Sequence, residues 1–194
     1  EGQVAARDWT SYGRDYSEQR FSPLEQIRAG NVSQLGVAWV YAMRDGRGVE
    51  ATPLVIDGVM YVTSAWSIVY ALDARTGREL WVYDPQVDRA IGANSCCDVV
   101  NRGVAYASGR VFVAALDGRL IALDARSGKP LWQTQTIDDT SQPYVITGVP
   151  RVARGLVFIG NSGADLGVRG YVGAYDVRSG KRVYLSVGPH DRPP

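Results

Sequence analysis

One eleven-residue pattern recurs three times along this 194-residue chain. Ala71-Leu72-Asp73-Ala74-Arg75-Thr76-Gly77-Arg78-Glu79-Leu80-Trp81 returns at 122–132 with Asp124, Ser127, Gly128 and Trp132, and at 174–184 with Asp176, Ser179, Gly180 and Tyr184. The aspartates stand 51 and 52 residues apart. A period of that length, built from short runs rich in β-formers, is the signature of propeller blades. In the first unit the runs are 52–56, 60–64, 68–72 and 80–83, each with the alternating or continuous apolar character of a strand. Asp-x-x-Thr/Ser-Gly is a hairpin turn in which the carboxylate accepts backbone amides and glycine takes positive φ. The aromatic that follows is read as packing between blades.

The expected fold is therefore all-β, a propeller of four-stranded antiparallel blades, with blades over 51–84, 103–136 and 148–187. Residues 1–35 form a leading segment. Within it Ser22-Pro23-Leu24-Glu25 is a capping box with proline at the first helical position, and Gly30 stops a short helix. Residues 36–43, Gly-Val-Ala-Trp-Val-Tyr-Ala-Met, read as a strand without partners of its own, the outer strand of the closing blade. Closed propellers have about four to eight blades. Three blades and one outer strand are the amino-terminal part of one.

The register exposes one irregularity. From the glycine that opens the second strand to the turn aspartate, the first two units span 15 residues and the third spans 21. The six extra residues fall in Gly160-Asn161-Ser162-Gly163-Ala164-Asp165-Leu166-Gly167-Val168-Arg169-Gly170. A loop that approaches a ligand closely needs glycine, and a carboxylate in it can hold a cation. A solvated loop is the plain alternative.

Composition excludes several classes. Net charge is +1 and the hydrophobic share 45%, so neither disorder nor nucleic-acid binding is indicated, and no apolar run has the length of a membrane span. Two cysteines and one histidine cannot make a zinc site, and no C-x-x-C-H haem motif is present. Glu1-Gly2-Gln3-Val4 reads as the processed terminus of an exported protein. Asn31-Val32-Ser33 fits a glycosylation pattern but is read as helix-capping sequence, and His190 in its proline-rich tail is given no role.

The two cysteines are adjacent, Cys96 and Cys97. Reduced, they are two small buried hydrophobes. Bonded to each other they would close a tight ring that shortens no long loop and so adds almost nothing to stability. The residues alone leave both readings open.

Taken together, Trp9 through Phe21, Gly48-Val49-Glu50-Ala51-Thr52-Pro53, Cys96-Cys97-Asp98-Val99-Val100-Asn101-Arg102-Gly103, Ile146-Thr147-Gly148-Val149-Pro150 and Gly163 through Tyr171 resemble the pyrroloquinoline-quinone (PQQ) alcohol dehydrogenases. The resemblance is strongest to the quinohaemoprotein members and more distant to the methanol dehydrogenase large subunit. It implies an eight-bladed propeller of which this sequence is the amino-terminal part, inactive alone. It further implies PQQ- and calcium-dependent oxidation of an alcohol to an aldehyde or ketone in the periplasm, with a lanthanide as the alternative ion. Electrons would pass to a cytochrome c, and haem-bearing members carry a haem c in a further domain. By the same resemblance, Cys96 and Cys97 form a vicinal disulfide over one face of the cofactor, and Arg102 faces the quinone oxygens. Glu50 and Thr147 bond polar groups of PQQ, Ser162, Gly163 and Ala164 meet one of its carboxylates, and Asp165 is a metal ligand where the family usually has glutamate. The family's general base, an Asn ligand and the tryptophan under the ring lie further along than this sequence reaches. The competing class is a non-catalytic propeller of PQQ-like repeats that serves as a protein-binding scaffold. That class explains the repeat but not the cysteine pair, Glu50 or the inserted loop.

Overall fold

The structure is a computed structural model and describes residues 4–188. His190 lies outside the described residues. Twelve strands make three four-stranded antiparallel sheets among the described residues, each a simple meander. The first contains β1 (Leu54–Ile56), β2 (Val59–Thr63), β3 (Val69–Asp73) and β4 (Glu79–Tyr83). The second contains β5 (Ala105–Ala107), β6 (Arg110–Ala114), β7 (Arg119–Asp124) and β8 (Pro130–Gln135). The third contains β9 (Arg151–Ala153), β10 (Leu156–Gly160), β11 (Tyr171–Asp176) and β12 (Arg182–Val187).

Successive side chains of a strand point to opposite faces, and β6 shows what that does in a blade with a neighbour on each side. Val111 and Val113 join the core shared with the first sheet, whereas Phe112 and Ala114 join the core shared with the third. All four are fully buried, which is why the middle strands read as unbroken apolar runs. The outer strand β8 instead leaves Leu131 49% exposed.

The repeated motif builds each corner identically. Asp73 Oδ1 accepts the Thr76 amide and hydroxyl, both at 2.8 Å, and Asp124 and Asp176 do the same for Ser127 and Ser179. Hydroxyl and amide donors together hold all three carboxyls below the usual carboxylate range. The glycine four residues on is the docking surface for an aromatic of the preceding unit. Trp81 Nε1 donates to Ala125 O at 3.0 Å and Trp132 Nε1 to Val177 O at 3.1 Å. A Cβ on Gly128 would come within 2.6 Å of the Trp81 ring, and one on Gly180 within 2.5 Å of Trp132. These corners need glycine for space as well as for positive φ.

One sequence expectation is corrected. No helix forms over 23–30; the chain there is exposed, and the only helical turn nearby is a 3-10 turn at Val32–Gln34. Ser22 Oγ still accepts the Leu24 amide, but Asn31 caps nothing and folds back, accepting from Arg28 N and donating to Gln26 O, both at 2.8 Å. Local side-chain bonds of this kind compete with a helix that has no apolar face to bury. Residues 36–43, expected to pair in another blade, belong to none of the three sheets among the described residues. Trp39 nevertheless takes the docking position of Trp81 and Trp132, with Nε1 3.3 Å from Ala74 O and its ring over Gly77.

Upstream, residues around Trp9 pair with β1 through Trp9 N to Val55 O at 2.8 Å and Val55 N to Trp9 O at 3.0 Å. The same segment reaches the third sheet through the Glu18–Arg151 ion pair at 3.2 Å. The first strands of the sheets therefore converge, with β5 against β9, and the residues just before them gather at one end.

Candidate functional site

Glu50, Arg102 and Thr147 occupy matching places in the three units, each three or four residues ahead of β1, β5 or β9. Backbone bonds lace these entry segments together: Thr52 N donates to Arg102 O at 3.3 Å and Arg102 N to Thr147 O at 3.1 Å. Convergence of the first strands thus puts three distant residues in contact. The Arg102 guanidinium reaches Glu50 Oε2 at 3.0 Å and Thr147 Oγ1 at 2.6 Å. Thr147 Oγ1 in turn lies 3.3 Å from Ser162 Oγ. Glu50 and Arg102 are each roughly half exposed, so their pairing adds only about 0–1 kcal/mol to stability. Its consequence is orientation of the guanidinium.

The inserted loop closes on this line from the third unit. Ser162 N donates to Val145 O at 2.8 Å, and a 3-10 turn, Ala164–Leu166, follows. Gly163 starts that turn at φ 113°, and a Cβ on it would meet Val168 Cγ2 at 2.6 Å and Pro143 O at 2.7 Å. Any other residue would push the loop out.

From the opposite side comes the segment with the cysteines. Cys96 and Cys97 are bonded to each other, and both are exposed. The segment lies over Trp66, whose N–H donates to Val99 O at 2.9 Å and whose ring is faced by the Arg89 guanidinium at 4.1 Å. Arg47 pairs with Asp98. The Val99 amide, and then Arg47, hold the Asp98 carboxyl below its usual range.

One cavity of about 250 Å³ is lined by Cys96, Cys97, Arg102, Thr147, Ser162, Gly163, Ala164 and Asp165. Glu50 stands at its edge through Arg102. All nine residues singled out in the sequence are thus brought to one place from three blades. Sequence reading passed over Asn94, Ser95, Asp98, Val100, Val145 and Leu166, which line the same space; their only signal was proximity to the cysteines and the insertion. Ser95 Oγ is buried without a hydrogen-bond partner among the described residues. No three Asp, Glu, His or Cys come together as a metal site among the described residues; the carboxylates that line the cavity are Asp165 and the Arg47-paired Asp98.

The arrangement offers a soft, flat sulfur surface, a fixed cation, a row of hydroxyls and one free-reaching carboxylate. Residues 9–185 match the family described as PQQ: glucose/ethanol/alcohol dehydrogenase, beta-propeller domain. The chain is 54% identical over 188 residues to a 1-butanol dehydrogenase (cytochrome c) of Thauera butanivorans, an alignment that takes in 97% of this chain and 27% of that protein. It superposes on the crystal structure of the quinohaemoprotein alcohol dehydrogenase of Comamonas testosteroni with TM-score 0.91 and 54% identity, over 95% of this chain and 28% of the other. A europium-containing methanol dehydrogenase is also similar, at TM-score 0.90 and 44% identity over 95% and 33% of the two chains. The chain spans about a quarter of the length of the curated relatives it matches.

Proposed function

Because the chain belongs to the PQQ β-propeller domain family of glucose, ethanol and alcohol dehydrogenases, we propose that it forms the amino-terminal part of an alcohol dehydrogenase and one wall of its PQQ site. The observation that carries this reading is the unbroken polar line Glu50–Arg102–Thr147–Ser162, whose last three members share a single cavity with the Cys96–Cys97 disulfide. A scaffold propeller has no need of that line.

The residues present fit PQQ, a planar tricarboxylate. The disulfide gives a polarizable face for a flat ring, Arg102 a planar cation suited to quinone or carboxylate oxygens, and Thr147, Ser162 and Ser95 hydroxyl donors. Gly163 keeps the backbone low where a Cβ could not fit. When bound, PQQ supplies a two-electron acceptor for hydride from the alcohol. Arg102 holds its guanidinium, fixed by Glu50 and Thr147, where negative charge would develop. Cys96 and Cys97 exclude water from one face. Asp165 offers a hard oxygen to calcium, which takes six to eight such donors, so most of its ligands come from elsewhere. A lanthanide, another hard cation for oxygen donors, is the alternative ion.

Cytochrome c is the proposed electron acceptor and the remainder of the propeller the obligatory partner. A vicinal disulfide in a mature protein favours an oxidising compartment, which supports a periplasmic location. Dye-linked oxidation of primary alcohols by the full-length protein, reconstituted with PQQ and calcium, tests the reading. Activity that needs both additions supports it, and a folded protein inert toward alcohols under those conditions refutes it.

A further inference from the structure

Asn101 touches no open part of the cavity, yet every polar atom of its side chain is engaged. It is 1% exposed. Its Nδ2 donates to Ser67 Oγ at 3.2 Å and to Ala114 O at 2.9 Å, and its Oδ1 accepts Gly103 N at 3.0 Å. Its own carbonyl accepts Thr63 Oγ1 at 3.3 Å. Ser67, itself in the left-handed region at φ 61°, uses the same Oγ to accept Leu116 N at 3.1 Å. Asn101 therefore joins the first unit to the second, Thr63 through its main-chain carbonyl and the Ser67 turn and Ala114 through its carboxamide, with Leu116 tied in by Ser67, directly behind the residue whose guanidinium organises the site.

We infer that Asn101 is a positioning residue that fixes the backbone of Arg102, and through it the cofactor-facing guanidinium, relative to both blades. The inference rests on the PQQ reading of the cavity. An arginine side chain is long and loses little order at its root unless the root is held; here both flanks are held. Asn101 is clamped as described, and Gly103 sits at φ 128° with its Cα so close to Thr52 that a Cβ would meet Thr52 O at 3.1 Å. Between them the Arg102 amide and carbonyl are both bonded across to Thr147 and Thr52. No other residue type meets the donor pattern. Aspartate keeps the acceptor for Gly103 N but turns an oxygen toward Ala114 O, and leucine removes the side-chain partner of both Ala114 O and Gly103 N in a dry interior.

The test uses the full-length protein with Asn101→Asp, Asn101→Ala and the milder Ser67→Ala, alongside Val157→Ala as a buried core variant in the third sheet. Two quantities are read: the dissociation constant for PQQ by equilibrium dialysis, and amide hydrogen exchange at 101–103 in the cofactor-free protein. Both Asn101 variants are expected to weaken PQQ binding by roughly tenfold to a hundredfold, the range found when a residue that orients a ligating group is lost. Exchange at Arg102 and Gly103 should rise in all three site variants, including Ser67→Ala should the others not fold. Val157→Ala should lower thermal stability with affinity and local exchange unchanged. Wild-type affinity together with wild-type exchange in the Asn101 or Ser67 variants would overturn the inference. Should the wild-type protein retain no PQQ, the functional reading fails, and the exchange measurement still decides whether Asn101 pins Arg102.

Discussion

Asp165 carries the most consequential single-residue assignment, because it is exposed, half-way round a 3-10 turn, and has no side-chain partner among the described residues that would explain an acid there for folding alone. If it ligates calcium in the full-length enzyme, Asp165→Ala should raise the calcium needed for half-maximal activity by at least tenfold. Thermal unfolding of the metal-free protein should hardly move, since exposed loop changes typically alter stability by about 0.5 kcal/mol or less. Asp165→Glu should retain or tighten calcium binding by adding the reach usual in the family. Unchanged calcium dependence in Asp165→Ala would make it an ordinary solvated side chain. At this scale the sequence was informative where chemistry is rare: adjacent cysteines, a carboxylate inside an insertion, an arginine at fixed spacing. It was silent about Asn101 and Ser95, because a buried amide or hydroxyl is recognised by its partners, and those lie in other strands.

Blades and corners are the next scale, and their energetics follow from the aromatic docked on glycine. Trp81 is 9% exposed, stacks near Tyr61, and bonds the next corner. Trp81→Ala should cost about 3–5 kcal/mol, as large-to-small changes of buried aromatics do, measured by denaturant unfolding of the full-length protein. A loss under 1 kcal/mol would mean that the blades do not rely on this contact. The corner aspartates set an acid limit. Their folded-state pKa values are lowered by hydroxyl and amide donors, so the stability they add is fully present above the ordinary aspartate pKa of about 3.9 and is lost as pH falls through the lower folded value. Replacing Asp73, Asp124 and Asp176 by asparagine together should flatten the decline of unfolding stability below about pH 4. An unaltered acid limb would assign that decline to other carboxylates. These corners were legible because Asp, Thr or Ser, Gly and Trp each act locally or at a fixed repeat distance. The supposed helix at 23–30 was misread for the opposite reason: a capping box states how a helix could begin, whereas only an apolar face with something to cover keeps one formed.

Across the whole molecule, three sheets describe an arc whose two ends differ. At one end Trp39 already occupies the docking position on the first corner, while Val37 and Val40 beside it are more than 80% exposed. At the other, Tyr184 holds the equivalent place in β12 and is 58% exposed, with Val183 and Val187 alongside. In a closed ring, further blades would meet those surfaces. The repeat made the arc predictable from sequence, and the cysteines and the insertion marked segments that line the cavity; the convergence of Glu50, Arg102 and Thr147 came only with the backbone bonds between entry segments. The central claim is that this convergence is a PQQ site. Equilibrium dialysis of PQQ against the full-length protein tests it most directly, with Arg102→Ala as the paired variant. The account predicts one PQQ retained per chain, with at least tenfold weaker retention by Arg102→Ala at unchanged folding. Retention no greater than that of an unrelated protein, or equal retention by the variant, would contradict it.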